Sequence, residues 1–247
     1  MEINNVCILG AGTLGSRIAL QASLSGYSVR VYDIHAQALE SSKKVMAKIL
    51  RQLSLPTESL ESILFTTDPT VAVANADIIS ESVTEDLDLK RKVWAQFGAL
   101  APEKTIFTTN TSYLLPSQLA DASGRPARFC AFHFHDVFYS KVVDIMPHPG
   151  TDSDLELILM EFGRRLQQVP VVVRKENHGY IFNAMLLAFI GAAGKLRTKE
   201  VASIEDIDKS WMVNFHMPMG PFGIIDSIGL DTAWHVTHGL EDTASQA

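Results

Sequence analysis

Gly10-Ala11-Gly12-Thr13-Leu14-Gly15 follows the apolar run Val6-Cys7-Ile8-Leu9 and leads into a helical stretch, Leu14–Ser25, closed by Gly26. Glycines at this spacing occur in many unrelated chains; a strand before them and a helix after them give the pattern its meaning. Gly10 permits a tight turn, Gly12 leaves room for a pyrophosphate against the backbone, and Gly15 lets helix and strand pack closely. The helix N-terminus at Thr13 and Leu14 then offers N–H groups and a partial positive charge to phosphates. A second run, Val29–Tyr32, ends in Asp33, where a carboxylate accepts hydrogen bonds from the adenosine ribose hydroxyls and repels a 2′-phosphate. Together these features predict NAD as the cofactor, in preference to NADP.

Outward from this stretch, strand-like runs fall at Ile63–Thr66, Asp77–Ser80, Thr105–Thr108, Phe129–Phe134, Val142–Met146 and Pro170–Val173. Helical stretches at Ala36–Leu53 and Leu87–Leu100 end before Pro56 and Pro102, expected helix stops. Apolar strands alternating with helices predict an α/β fold, a doubly wound parallel sheet covered on both faces. From about Asn177 the pattern turns all-helical, with Ile181–Lys195, Ile204–Val213 and Phe222–His238. The expected organisation is a Rossmann domain over 1–176 and a smaller all-α substrate and dimerisation domain over 177–247. The chain stops at Ala247 in a polar run, consistent with a natural end or a truncated one.

The 247 residues carry 47% hydrophobic and 20% charged side chains, as a packed globular protein does. A formal net charge of -7 argues against nucleic acid as a partner, because phosphate backbones need clustered Lys and Arg. Cys7 and Cys130 lie in apolar runs and read as buried thiols in a reducing compartment. A strand starts almost at the N-terminus and no apolar stretch has membrane-spanning length, so a cytoplasmic protein without signal peptide is expected.

Oxidising an alcohol with NAD requires a base beside the hydroxyl, and histidine titrates near working pH. Among eight histidines, His133 stands at the end of the run Phe129–Phe134, the edge at which open α/β sheets bind ligands. Asp144, on the next strand, can accept the other ring N–H of His133. A structural histidine is the competing reading of these two residues. His133, His135 and His148 also suggest a metal site, but no cysteine pair or carboxylate spacing completes it, so no metal is expected.

At this point the chain resembles the L-3-hydroxyacyl-CoA dehydrogenase family. The resemblance rests on Gly10–Gly15, Glu81, Glu85-Asp86-Leu87 through Lys90, Asn110-Thr111-Ser112 and His133-Phe134. It continues through Gly179-Tyr180-Ile181-Phe182-Asn183, Pro218-Met219-Gly220-Pro221-Phe222 and Gly229-Leu230-Asp231-Thr232. It implies His133 as the catalytic histidine, Ser112 as the serine that bonds the substrate oxygen at C3, and Asn183 as a substrate-holding asparagine. Glu85, Lys90 and Asn110 match positions near the cofactor and the cleft. The implied reaction interconverts a 3-hydroxyacyl-CoA and a 3-ketoacyl-CoA, and the implied assembly is a homodimer through the helical domain.

Two departures stand out. The family usually reads His-Phe-Phe-Asn-Pro where this chain has His133-Phe134-His135-Asp136-Val137, and Asp144 replaces a glutamate after a shorter hairpin. Asp136 and Asp144 ionised beside His133 would raise its pKa; Asp136 is also a substrate-binding candidate. Lys44, Lys48 and Arg51 share one face of the second helix and are candidates for CoA phosphates, an ordinary solvated face being the alternative. Three functions remain open: a 3-hydroxyacyl-CoA dehydrogenase, an NAD enzyme acting on a free hydroxy acid such as a hydroxy-sugar acid or carnitine, and a catalytically weak NAD-binding protein.

Overall fold

The computed structural model describes residues 2–229. The chain divides into two compact units, Met1–Tyr180 and Ile181–Ala247.

In the first unit eight strands form one sheet: β1 (Asn5–Leu9), β2 (Ser28–Tyr32), β3 (Leu64–Thr66), β4 (Ile78–Glu81), β5 (Ile106–Thr109), β6 (Phe129–Phe134), β7 (Val142–Pro147) and β8 (Val169–Val172). The helices between them are α1 (Thr13–Leu24), α2 (Ala36–Leu53), α3 (Glu58–Glu61), α4 (Pro69–Val73), α5 (Leu87–Leu100) and α6 (Leu155–Arg165). Spatial order is β3-β2-β1-β4-β5-β6-β7-β8, so the winding reverses between β1 and β4. The crevice at that reversal is where open α/β sheets bind ligands.

Alternation along β1 explains the two covered faces. Val6 and Ile8 join a core with Met46 of α2 and Phe162 of α6. Cys7 and Leu9 point the other way, to Trp94 and Phe97 of α5 and to Phe107 and Phe129. Strands buried on both faces must read as continuous apolar runs, which is how these appear in the sequence.

One pair departs from the parallel expectation: β6 and β7 run antiparallel. Only residues 135–141 join them, too few for the crossover that a parallel pair requires. The hairpin puts His133 directly opposite Asp144. A slip of one residue would send Asp144 to the other face of the sheet.

The second unit contains α7 (Phe182–Thr198), α8 (Ile204–Phe215) and α9 (Pro221–Ile228). Ser203 caps α8 by accepting from Asp206 N, and Asp208 accepts from Phe222 N and Gly223 N at the start of α9. A Cβ on Gly220 would lie 2.4 Å from Asp208 Cα, so this close crossing of α8 requires glycine. The expected helix Phe222–His238 begins here, but α9 stops at Ile228 with Gly229 at φ 94 as its C-cap; residues beyond 229 lie outside the described residues.

Candidate active site

The glycine loop turns directly off β1. Gly10 has φ +99, and a Cβ there would meet the Ser82 carbonyl oxygen at 2.6 Å. A Cβ on Gly15 would come 2.1 Å from the Gly10 oxygen, so α1 approaches the strand as closely as backbone allows. Gly12 faces open space within 4 Å, and the first turn of α1, at Thr13 and Leu14, has no side-chain cap. Asp33 Oδ2 accepts from Ala11 N at 2.9 Å, which brings the acid to the same loop. An uncapped helix N-terminus, an open glycine and a carboxylate after β2 fit a dinucleotide without a 2′-phosphate.

A buried charge network lies beyond β4. Glu81 accepts from Lys90 Nζ at 2.6 Å, from Val83 N at 2.8 Å and from Thr109 Oγ1 at 2.7 Å. Lys90 Nζ also stands 3.2 Å from Glu85 Oε2 and donates to the Val83 carbonyl. Glu85 Oε1 in turn accepts from Ser112 N at 3.0 Å, from Tyr113 N at 3.1 Å and from the Thr111 hydroxyl. Lys90 therefore reaches the cleft through Glu85, and Glu85 fixes the turn that carries Ser112. Asn110 Oδ1 accepts from Phe134 N at 2.7 Å, tying the ends of β5 and β6 together.

Ser112 Oγ is 3.2 Å from His133 Nε2, and His133 Nδ1 is 3.4 Å from Asp144 Oδ2. A carboxylate only accepts, so His133 presents Nδ1–H to Asp144, leaving Nε2 of the neutral ring to accept from a hydroxyl. Tyr180 stacks on the imidazole, with centroids 4.6 Å apart and planes 14° from parallel, and its hydroxyl donates to the Thr111 carbonyl at 2.7 Å. Burial pushes the Tyr180 phenol well above its ordinary pKa, so it remains a neutral platform.

The expected rise in the pKa of His133 is overturned. Burial is the largest influence and lowers it; the hydrogen bond that His133 donates to Asp144 opposes that only in part. Asp136 adds no load because it faces elsewhere: it pairs with Arg17 of α1 and accepts from Phe138 N and Tyr139 N. Asp144 is shared, its Oδ2 also lying 2.7 Å from His135 Nε2. Burial would raise the Asp144 pKa, but hydrogen bonds from both imidazoles outweigh it and the net shift is downward.

The histidine trio weighed from the sequence does not assemble, since His148 Nε2 binds the Pro126 carbonyl. His133, His135 and Asp144 instead hold their ring nitrogens and carboxylate oxygen within 4.8 Å of one another, a spacing their mutual hydrogen bonds account for. Lys44, Lys48 and Arg51 are exposed along α2, opposite its buried Met46 and Leu50. Asn183 is half-buried near the start of α7, in the second unit. Glu81 and Tyr180 belong to segments that carried the family resemblance, yet their structural work, sealing Lys90 and backing His133, had no separate sequence signal.

A nucleotide loop at the sheet reversal beside a Ser–His–Asp cluster defines an NAD-dependent oxidoreductase. The family model for the 3-hydroxyacyl-CoA dehydrogenase NAD binding domain matches residues 5–177, and that for the family's C-terminal domain matches 179–247. The chain belongs to the 3-hydroxyacyl-CoA dehydrogenase family. It is 31% identical to the mitochondrial hydroxyacyl-coenzyme A dehydrogenase of Sus scrofa, over 99% of this chain and 82% of that protein. Among solved structures, a diketoreductase studied for catalysis on dicarbonyl compounds superposes with TM-score 0.92 at 37% identity, over 96% of this chain and 87% of the other. The (S)-3-hydroxybutyryl-CoA dehydrogenase of Ralstonia eutropha gives TM-score 0.89 at 28% identity, over 97% and 87%. Among the described residues no helix is long and apolar enough to cross a membrane.

Proposed function

We propose that this chain interconverts a 3-hydroxyacyl-CoA and a 3-ketoacyl-CoA with His133 as general base. Bound NAD supplies the hydride acceptor for C3. Ser112 holds the substrate oxygen, His133 Nε2 takes the hydroxyl proton as the C3 carbonyl forms, and Asp144 stabilises the resulting imidazolium through Nδ1–H. In the reverse direction the same imidazolium returns the proton. The observation that carries this reading is the Ser112 Oγ–His133 Nε2 distance of 3.2 Å, with the opposite ring nitrogen turned to a carboxylate.

In this reading Gly10, Gly12, Thr13, Leu14, Gly15 and Asp33 hold the cofactor, while Glu85, Lys90 and Asn110 shape the cleft. Asn183 holds substrate, and Lys44, Lys48 and Arg51 receive CoA phosphates. Residues 1–176 form the nucleotide domain and 177–247 the substrate and dimerisation domain of a cytoplasmic homodimer. The exposure of Met185, Val213 and Phe215 in the helical unit supports association there.

A second reading is favoured by the diketoreductase similarity, at 37% identity: the substrate is a 1,3-dicarbonyl compound without CoA, sharing with a 3-ketoacyl thioester the carbonyl that is reduced. NADH absorbance, followed with acetoacetyl-CoA and with a CoA-free 3-keto ester, separates the two. Substituting Lys44, Lys48 and Arg51 together by Glu should raise KM for acetoacetyl-CoA alone. Turnover of the ester only, indifferent to these substitutions, would establish the second reading.

A further inference from the structure

We propose that His135 is a positioning residue: by holding Asp144 Oδ2 more closely than His133 does, it limits how strongly Asp144 supports His133 as a base. The two imidazoles meet one carboxylate oxygen, His135 Nε2 at 2.7 Å and His133 Nδ1 at 3.4 Å. Their rings lie edge to face, with centroids 4.7 Å apart. His135 follows the last residue of β6, where the two-residue strand period puts it on the His133 side of the sheet.

A hydrogen bond donated to a carboxylate draws on its negative charge, and the shorter bond draws more. Asp144 therefore attracts a proton on His133 less than an undivided partner would. The other groups facing His133 are Glu85 from the turn before α5, Ser112 from the turn after β5 and Tyr180 from the turn before α7. Among the described residues, His135 is the neighbour that shares Asp144 Oδ2 with His133.

The inference rests on His133 being the base, so its test reads the ring itself and not turnover. Ring-proton NMR of the full chain with saturating NAD, assigned by His133→Gln, gives the His133 titration midpoint. In His135→Phe, Asp144 turns wholly to His133, and the midpoint should rise by about half a pH unit or more. His135→Leu applies the same test with a smaller side chain. His135→Gln keeps an N–H donor for Asp144 and should stay near the wild-type midpoint. A midpoint unchanged or lowered in the folded Phe or Leu variant would overturn the proposal, as would an equal rise in the Gln variant. Failure to turn over acetoacetyl-CoA would contradict the catalytic reading and leave this titration unaffected.

Discussion

Lys90 Nζ lies 2.6 Å from Glu81 Oε1, with side-chain exposures of only 1% and 0%. The pair sits beneath the cleft, and Lys90 extends it to Glu85, which holds the backbone of Ser112. A buried charge stripped of its partner is among the costliest single changes in a protein. Lys90→Met should therefore lower the free energy of unfolding by about 3–5 kcal/mol, read from urea denaturation. A loss under about 1 kcal/mol would mean that Glu81 finds other compensation.

In the proposed reaction Ser112 holds the substrate oxygen; its hydroxyl lies 3.2 Å from His133 Nε2, apart from the carboxylate network that fixes its backbone. Ser112→Ala should lower kcat by roughly tenfold to a hundredfold, with NADH affinity unchanged. A rise in KM alone would assign Ser112 to ground-state binding.

The direction of the His133 shift fixes the pH dependence. As a base His133 must be neutral, and burial lowers its pKa below the ordinary 6.5. Hydroxyacyl oxidation should therefore keep its rate below pH 6.5 and lose it only as pH falls through the lower folded value. The same sign holds for stability: between those two values the unfolded chain binds a proton that the folded one does not, so stability falls with falling pH there. Asp136→Asn should leave the acid limb of kcat/KM in place, because Asp136 pairs with Arg17 and not with His133. A limb displaced in that variant would put Asp136 back beside the base.

Asp33 anchors Ala11 N, and in the proposed function it also accepts from the adenosine ribose hydroxyls. Asp33→Ser should weaken NADH binding and narrow the preference over NADPH by about tenfold or more, measured as the ratio of kcat/KM values. An unaltered ratio would exclude Asp33 as the determinant.

Much of this architecture can be read from local pattern. The runs around Cys7, Ile79 and Phe107 are apolar because both faces of the sheet are covered, and Phe129–Phe134 coincides with β6. The helix α6 is not anticipated from the sequence although Leu155, Leu159 and Phe162 form a helical stripe; it is short and lies between two strands. The antiparallel turn of β7 depends on the shortness of 135–141, a constraint that strand composition does not carry.

The site divides in the same way. Gly10–Gly15, Asp33 and His133 are legible because each falls at the end of a strand or the start of a helix, whereas Ser112 is legible only through the family resemblance. The charge balance around His133 is not legible, because sequence gives neither the direction in which Asp136 points nor the depth of burial. Arg17 is distant in sequence from Asp136, and only the packing of α1 against the hairpin brings them together.

In the proposed reaction His133 takes the substrate proton. This role is tested most directly by NADH oxidation with acetoacetyl-CoA in His133→Gln, with NADH binding followed by fluorescence in the same samples. NADH binding should be unchanged and kcat lower by about a hundredfold to ten-thousandfold. Turnover within about tenfold of the wild type, with NADH bound normally, would contradict this role.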